Sequence, residues 1–328
     1  MKTMAMISPA KGRIELQELE ISDPSADEIQ VRVQASLISP GTERAMILNL
    51  NNTPGQFPFE PGYCAAGYVE KIGVDVLGFT PGDRVACFLI GHRQLGNVTA
   101  KWAVPVPKGI SFELASFLAL GQIALQGVRK TRVELGERVL VLGLGIIGQL
   151  ALQMARLSGG MPVLGADRVA LRLQIALECG AEQVLDTSQK NWLDQTGKLA
   201  VVIESTGAPE GVPLAFQAAD SFARVSLLGS TRGDSVVNFY RDVHRKGITV
   251  LGAHAMFSVP QVESHAGFWN WRDDADCFMR LLESGKLSLD PLLTEVVDWQ
   301  KAEDVFMDIL KWNTERVGTV IRWGSSVT

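Results

Sequence analysis

Between Met1 and about Leu120 the hydrophobic positions recur every second residue in short runs. Arg13 to Leu19 sets Ile14 and Leu16 on one side, and Glu28 to Ala35 does the same with Ile29, Val31 and Val33, so each run predicts a half-buried strand. Gly67 to Ile72, Arg84 to Ile90 and Ala100 to Val106 are further predicted strands. From Ser36 to Tyr63 the pattern gives way to Ser-Pro-Gly-Thr-Glu, Asn-Asn-Thr-Pro-Gly and Phe-Pro-Phe-Glu-Pro-Gly-Tyr, loop chemistry with one short helical candidate at Glu43 to Leu50. Loops on a rigid scaffold are where active-site side chains concentrate. Ser111 to Leu120 and Ile123 to Arg129 read as helices that join this β-rich part to the remainder of the chain.

The period then changes. Val139 to Leu142 is an unbroken apolar run, as in a parallel strand buried on both faces, and an amphipathic helix is predicted from about Ile147 to Leu157. Strand and helix patterns alternate from there: Pro162 to Ala166, helix Arg172 to Glu178, Gln183 to Asp186, Leu199 to Glu204, helix Pro209 to Ala218, Ala223 to Gly229 and Ile248 to Gly252. Such alternation predicts an α/β class with a doubly wound parallel sheet. Helix Asp273 to Glu283, strand Glu295 to Val297, helix Lys301 to Lys311 and strand Val317 to Trp323 close the chain. No internal repeat interrupts it.

The turn after Val139 to Leu142 carries candidate chemistry. Gly143, Gly145 and Gly148 fit G-x-G-x-x-G, with Ile146 and Ile147 opening the helix whose free N–H groups and positive end would face a pyrophosphate. Asp167 ends the next predicted strand, nineteen residues after the last glycine, where a carboxylate accepts hydrogen bonds from a ribose and repels a 2′-phosphate. Arg168 and Arg172 are the counter-signal, since arginines here can hold that phosphate. The expectation is NAD, with NADP the lesser alternative. Thr206, Gly207 and Gly229, at the ends of later strands, are expected on the same cofactor rim.

Composition narrows the class. A formal net charge of −5 without any Lys/Arg run argues against nucleic acid or an anionic membrane surface as partner. No run approaches the roughly 18 apolar residues that span a bilayer, and the N-terminus lacks the apolar core of a signal peptide, so a cytoplasmic enzyme acting on a small molecule is expected. Cys64, Cys87, Cys179 and Cys277 form no C-x-x-C pair, which predicts reduced, mostly buried thiols.

Together, Pro61-Gly62-Tyr63-Cys64-Ala65-Ala66-Gly67-Tyr68-Val69, Pro81-Gly82-Asp83-Arg84-Val85, the glycine fingerprint, Val201-Val202-Ile203-Glu204-Ser205-Thr206-Gly207 and Gly285-Lys286-Leu287 resemble the medium-chain dehydrogenase/reductase superfamily over nearly the whole chain. The resemblance implies a GroES-like catalytic domain over 1–120 and 256–328, a Rossmann domain over 121–255 and a homodimer. The sequence itself offers Val236 to Tyr240 and Ile248 to Gly252 as a possible sheet edge. Zinc members of the superfamily place a Cys, a His-Glu pair and a further Cys or Glu where this chain has Ser39, Tyr63-Cys64 and Ala119-Leu120-Gly121-Gln122. Catalytic zinc needs three ligands from His, Cys and carboxylates, so no zinc is expected. The Ser-Pro-Gly-Thr-Glu loop, the Pro-Gly-Tyr motif and His92 look most like the branch containing bacteriochlorophyllide a dehydrogenase and sugar- or polyol-related relatives. That branch implies interconversion of a secondary alcohol and a ketone with NAD(H).

Without a metal, a side chain must move the proton. Tyr63 is the first candidate, with Thr42 as relay, His92 for its pKa near neutrality, and Glu43 to orient either one. Each has a structural alternative: Tyr63 packed with its hydroxyl on a carbonyl, His92 anchoring a loop, Thr42 closing its own turn, and Glu204 hydrogen-bonded inside a strand. Ser39, Cys64, Trp269 and Trp271 are candidates for the substrate pocket, the tryptophans with subunit packing as their alternative; His265 is a further candidate contact. Two other functions compete, a zinc-free quinone or enone C=C reductase, against which Asp167 counts, and an inactive NAD(H)-binding sensor.

Overall fold

The alternating N-terminal runs fold as antiparallel strands because each has one apolar face to bury. In the computed structural model, which describes residues 1–256, 258–259, 269–311 and 316–324, strand β1 (Lys2–Ile7) pairs with β2 (Glu15–Glu20). Strand β3 (Glu28–Leu37) buries Ile29, Val31 and Val33 completely and is the hub of a second sheet. After it come helix α1 (Pro40–Ile47), β4 (Cys64–Ile72), β5 (Arg84–Phe88), β6 (Leu95–Thr99) and β7 (Ala103–Pro105). Strand β3 takes β4 on one side, and β6 also pairs with it. Gly67 allows the close approach of β4, since a Cβ there would run into the carbonyl of Arg32.

Helices α2 (Phe112–Ala115) and α3 (Leu118–Thr131) lead to a parallel sheet. It is built from β8 (Val139–Leu142), α4 (Ile146–Leu157), β9 (Val163–Asp167), α5 (Ala170–Glu178), β10 (Gln183–Asp186), β11 (Val201–Glu204), α6 (Gly211–Ala218), β12 (Arg224–Leu227) and β13 (Thr249–Gly252). The strand order is β10-β9-β8-β11-β12-β13, all parallel. This is the 3-2-1-4-5-6 order of a Rossmann sheet, whose direction of winding reverses between β8 and β11 and leaves a crevice at their carboxyl ends. Leu140, Leu164, Val202 and Val225 form its buried core. The chain closes with α7 (Trp271–Glu283), β14 (Leu293–Asp298), α8 (Ala302–Leu310) and β15 (Gly318–Arg322); β15 joins β3, which completes the order β14-β15-β3-β4-β5-β7.

The chain divides into two compact units, Met1–Leu120 with Ala275–Ser284 and Leu293–Thr328, and Gly121–Asp274 with Gly285–Leu292. The return to the first unit thus falls inside α7 rather than at 256, and 285–292 goes back to the second. Three local expectations are corrected. Leu95–Thr99 is a strand despite its Gly and Asn, because β3 supplies the partner. Ala100–Trp102 is a 3-10 turn, leaving only Ala103–Pro105 extended. Helix α1 begins at Pro40 rather than Glu43, a first-turn proline whose missing N–H costs the helix nothing. Among the described residues no helix is long and apolar enough to cross a membrane.

Within the second unit Arg129 Nη1 donates to Asp274 Oδ1 at 2.6 Å, yet burial outweighs that cation and pushes the Asp274 carboxyl up to about 6. A folded-state pKa above the unfolded value of about 3.9 gives stability that is full below pH 4 and lost as pH rises through 6, on the order of 1–3 kcal/mol. The urea midpoint of the wild type is therefore expected to fall between pH 4.5 and 7 relative to that of Asp274→Asn. Parallel pH dependence in the two proteins would assign the effect elsewhere.

Candidate active site

The crevice of the parallel sheet is built around backbone that cannot carry a side chain. Gly143 follows β8 with φ +92°, and a Cβ there would lie 2.8 Å from the Thr206 amide nitrogen. A Cβ on Gly148 would run into the Gly143 carbonyl, so the first turn of α4 packs directly on the glycine turn. Gly145 differs. It caps α4 with φ −68° and ψ −175°, and a Cβ there would meet nothing within 4 Å. The open space in front of Gly145 and the free first-turn amides of Ile146, Ile147 and Gly148 fit a dinucleotide pyrophosphate.

Asp167, nearly buried at the end of β9, accepts from the Leu144 amide at 2.7 Å through Oδ2, and from the Arg168 and Val169 amides at 2.7 and 3.0 Å through Oδ1. Of roughly four acceptor sites on a carboxylate, three are spent on pinning the turn. Arg172 Nη1 stands 3.7 Å from Oδ2, while the Arg168 side chain is exposed. At the ends of β11 and β12, Thr206, Gly207 and Gly229 gather around Glu204. Its Oε1 accepts from the Thr206 amide at 2.8 Å and from the Thr206 hydroxyl, and a Cβ on Gly229 would lie 2.6 Å from the Gly207 nitrogen.

The first unit holds a second cluster. The Tyr63 hydroxyl donates to Ser39 Oγ at 2.7 Å and also bonds the Thr42 side chain. Behind these three hydroxyls runs a buried chain: the Ser39 amide donates to Glu43 Oε1 at 2.8 Å, Glu43 Oε2 meets His92 Nε2 at 2.8 Å, His92 Nδ1 meets Ser36 Oγ at 2.8 Å, and Trp323 Nε1 donates to Ser36 Oγ at 2.7 Å. An indole N–H can only donate, which leaves the Ser36 proton for Nδ1 and the Nε2 proton for Glu43; one neutral tautomer satisfies every atom. Gly62 leaves room for the ring, because a Cβ there would lie 2.6 Å from His92 Cδ2.

This geometry corrects the catalytic role expected of His92 and leaves Glu43 in the orienting role expected of it. His92 and Glu43 are each 1% exposed, with both ring nitrogens and both carboxylate oxygens engaged inside the protein, so neither can touch a substrate. They are positioning residues for the loop that carries Ser39 and Thr42. Ser36 and Trp323 carry no sequence signal, since they meet His92 only through the sheet pairing of β3 and β15. Tyr63 and Thr42 are part-buried and remain able to reach a ligand. Burial first, then Cys64 and Glu43, push the phenol upward against the opposing bonds from Ser39 and Thr42, so it stays protonated and acts as a donor.

The donors at the family's metal positions do not fit a zinc ion. They are two hydroxyls, Ser39 and Tyr63, and the Cys64 thiol, which is buried and pushed well above its ordinary pKa by desolvation and Glu43; a metal ligand must instead be a thiolate. In the second unit Trp269 lies over Arg129, 3.5 Å from guanidinium carbon to ring centroid, and Trp271 is buried as the first residue of α7. His265 and Phe268 lie outside the described residues.

Residues 147–265 match the family model described as zinc-binding dehydrogenase. Galactitol 1-phosphate 5-dehydrogenase of Escherichia coli is 24% identical, with 94% of this chain and 96% of that protein covered. The chain is similar to dehydrogenases of the medium-chain dehydrogenase/reductase superfamily. The crystal structure of galactitol-1-phosphate dehydrogenase from Escherichia coli aligns with a TM-score of 0.84 at 22% identity, over 98% of this chain and 100% of that one, and shares its fold. A 2-methylene-furan-3-one reductase from Solanum lycopersicum is 29% identical over 216 residues, which is 61% of this chain and 56% of the tomato protein. These relatives are a dehydrogenase and a reductase, so an oxidoreductase is the class of function they support.

The contrast between the glycines yields a prediction. Gly145→Ala is expected to keep or slightly raise the melting temperature, since its φ suits alanine, while weakening NADH binding about tenfold or more by filling the pyrophosphate space. Fluorescence titration of NADH alongside thermal melts checks both; unchanged NADH affinity would place the pyrophosphate elsewhere.

Proposed function

We propose that the chain is an NAD(H)-dependent, zinc-independent oxidoreductase that interconverts a secondary alcohol and a ketone. The observation that carries this reading is the Tyr63–Ser39–Thr42 hydroxyl cluster, which stands where zinc relatives place metal ligands and is held from behind by the Glu43–His92 pair. A nicotinamide supplies the hydride acceptor or donor. The chain's own residues handle the oxygen. In ketone reduction the protonated Tyr63 donates a hydrogen bond to the carbonyl oxygen and gives up its proton as the alcohol forms, and Ser39 and Thr42 lie on the path by which it is replaced. The opposite direction needs Tyr63 to accept that proton as a phenolate. NAD over NADP is supported by Asp167 at the ribose position, and a polyol-type substrate by the galactitol 1-phosphate relative.

One observation favours a second reading. The similarity to 2-methylene-furan-3-one reductase supports reduction of an activated C=C bond, with Tyr63 again as proton donor. A screen of polyols, ketones and enones with NADH and NADPH decides between the two readings. Turnover of enones alone would overturn the first, and NADH binding without any turnover would leave a sensor.

The proposal extends to assembly. A homodimer is supported by β13, an outer strand of the parallel sheet whose Thr249 and Val250 are exposed, and by exposed Phe239 and Tyr240.

Three outcomes are expected. Tyr63→Phe should lower kcat by roughly 10²-fold, and near-normal turnover would remove Tyr63 from the proton step. The raised phenol pKa should make kcat/KM for alcohol oxidation climb with pH across the accessible alkaline range, while ketone reduction stays flat; an oxidation plateau near neutrality would point to another base. Metal analysis of the purified protein should find no stoichiometric zinc.

A further inference from the structure

Glu204 is a completely buried carboxyl at the carboxyl end of β11, and the glycine-rich turns around it are shaped to its side chain. A Cβ on Gly211 would lie 2.5 Å from Glu204 Oε1, and one on Gly229 would lie 2.9 Å from Oε2. Both positions must therefore be bare for the carboxyl to sit where it does. The bonds of Glu204 reach the two loops that follow β11 and β12. Oε1 takes the amide and the hydroxyl of Thr206, and the Glu204 main-chain carbonyl takes the Leu228 and Gly229 amides, each at 2.8 Å.

Thr206 is the residue that meets the fingerprint. Its nitrogen, Cα and Cγ2 all lie within 2.9 Å of the place a Gly143 Cβ would occupy. The preceding Ser205 donates through Oγ to the Gly143 carbonyl at 2.6 Å and to the Leu142 carbonyl at 3.1 Å. The first glycine of the turn is thus clasped by Ser205 and Thr206, and Glu204 fixes Thr206 from beneath.

We infer that Glu204 is the positioning residue of the cofactor turn: its carboxyl holds Thr206 against Gly143 and so sets the geometry of the dinucleotide site. This rests on the cofactor reading above. What pulls the carboxyl's pKa down is the Thr206 hydroxyl and the Thr206 and Gly207 amides rather than any cation, and burial outweighs them and raises it. A carboxyl held by N–H and O–H donors alone can be replaced by an amide that keeps an acceptor oxygen.

Two variants and two measurements test the inference. Glu204→Ala should weaken NADH binding, read by fluorescence titration, about tenfold or more, whereas Glu204→Gln should stay within about threefold of the wild type. Independently of any ligand, hydrogen–deuterium exchange of the peptide spanning Gly143 to Gly148 should speed up in Glu204→Ala and not in Glu204→Gln. Should Glu204→Ala fail to fold, Thr206→Val, which loses the hydroxyl and keeps the shape, should speed the same exchange and weaken NADH binding. Equal losses in Ala and Gln, or unchanged exchange at the turn in Ala or in Val, would overturn the role of Glu204. Failure of the wild type to bind NADH, with the exchange difference intact, would instead overturn the cofactor reading.

Discussion

A carboxylate removed from water must be given hydrogen bonds, and adjacent turns supply them to both oxygens of Glu43 and Asp167 and to Oε1 of Glu204, whose Oε2 has no partner among the described residues. Glu43, Asp167 and Glu204 are all buried, and each accepts from backbone amides of an adjacent turn: Ser39 for Glu43, Leu144, Arg168 and Val169 for Asp167, and Thr206 for Glu204. Leaving such a group without partners costs several kcal/mol, comparable to the entropy that about two or three loop residues lose by adopting one shape. The polar cost of burial is therefore turned into loop order. In the second unit this fixes the glycine turn from two sides, through Asp167 on Leu144 and through Glu204 on Thr206. In the first unit it fixes the loop that carries Ser39 and Thr42, with His92 as the counter-group for Glu43.

How much of this was legible in the sequence depended on how far apart the interacting residues lie. The glycine turn, the strand before it and the helix after it are contiguous, so spacing alone located them, and β8, α4 and β10 fall within a residue of expectation. The hydroxyl cluster was legible only through the family's motif positions, which named Ser39, Tyr63 and Cys64 without their geometry. His92 was drawn toward catalysis by its titration range, whereas its two nitrogens are taken by Ser36 and Glu43. The Ser36–Trp323 bond joins residues 287 positions apart, and no periodicity could reveal it. Strand β6 was missed for a related reason. Its sequence, Leu-Gly-Asn-Val-Thr, has weak strand preference, and the decision is made by pairing with β3.

The comparisons place the scaffold more firmly than the chemistry. A relative at 24% identity retains the whole architecture, because buried apolar alternation tolerates exchange among Val, Ile and Leu, while a single change of donor type alters a site. The family model covers 147–265, which begins in the first turn of α4, after β8, Gly143 and Gly145, and that segment does not include the positions where Ser39, Tyr63 and Cys64 stand. A match to the sheet half therefore carries information about the nucleotide and none about the metal. The two halves of the name zinc-binding dehydrogenase bear on different parts of the chain.

On the proposed zinc-independent reading, hydroxyls in place of a metal have an energetic consequence for the kind of substrate such a site can use. A Lewis-acidic cation stabilises a developing alkoxide by several kcal/mol, whereas removing one preorganised neutral donor from an oxyanion site costs about 2.7–4 kcal/mol. Tyr63 supplies one such donor, its hydroxyl donating to Ser39 Oγ in the absence of substrate. Its raised pKa also makes proton loss harder, since each unit above the ordinary value costs about 1.4 kcal/mol. On the proposed mechanism, then, the site favours substrates that ease the charge themselves. A carbonyl conjugated to a C=C bond or flanked by electron-withdrawing oxygens does so, whereas a simple aliphatic ketone leaves the whole charge to a phenol reluctant to part with its proton. The same argument ties both candidate reactions to one chemical property, an oxyanion stabilised within the substrate, and makes that property a better guide to the substrate than the identity of any relative.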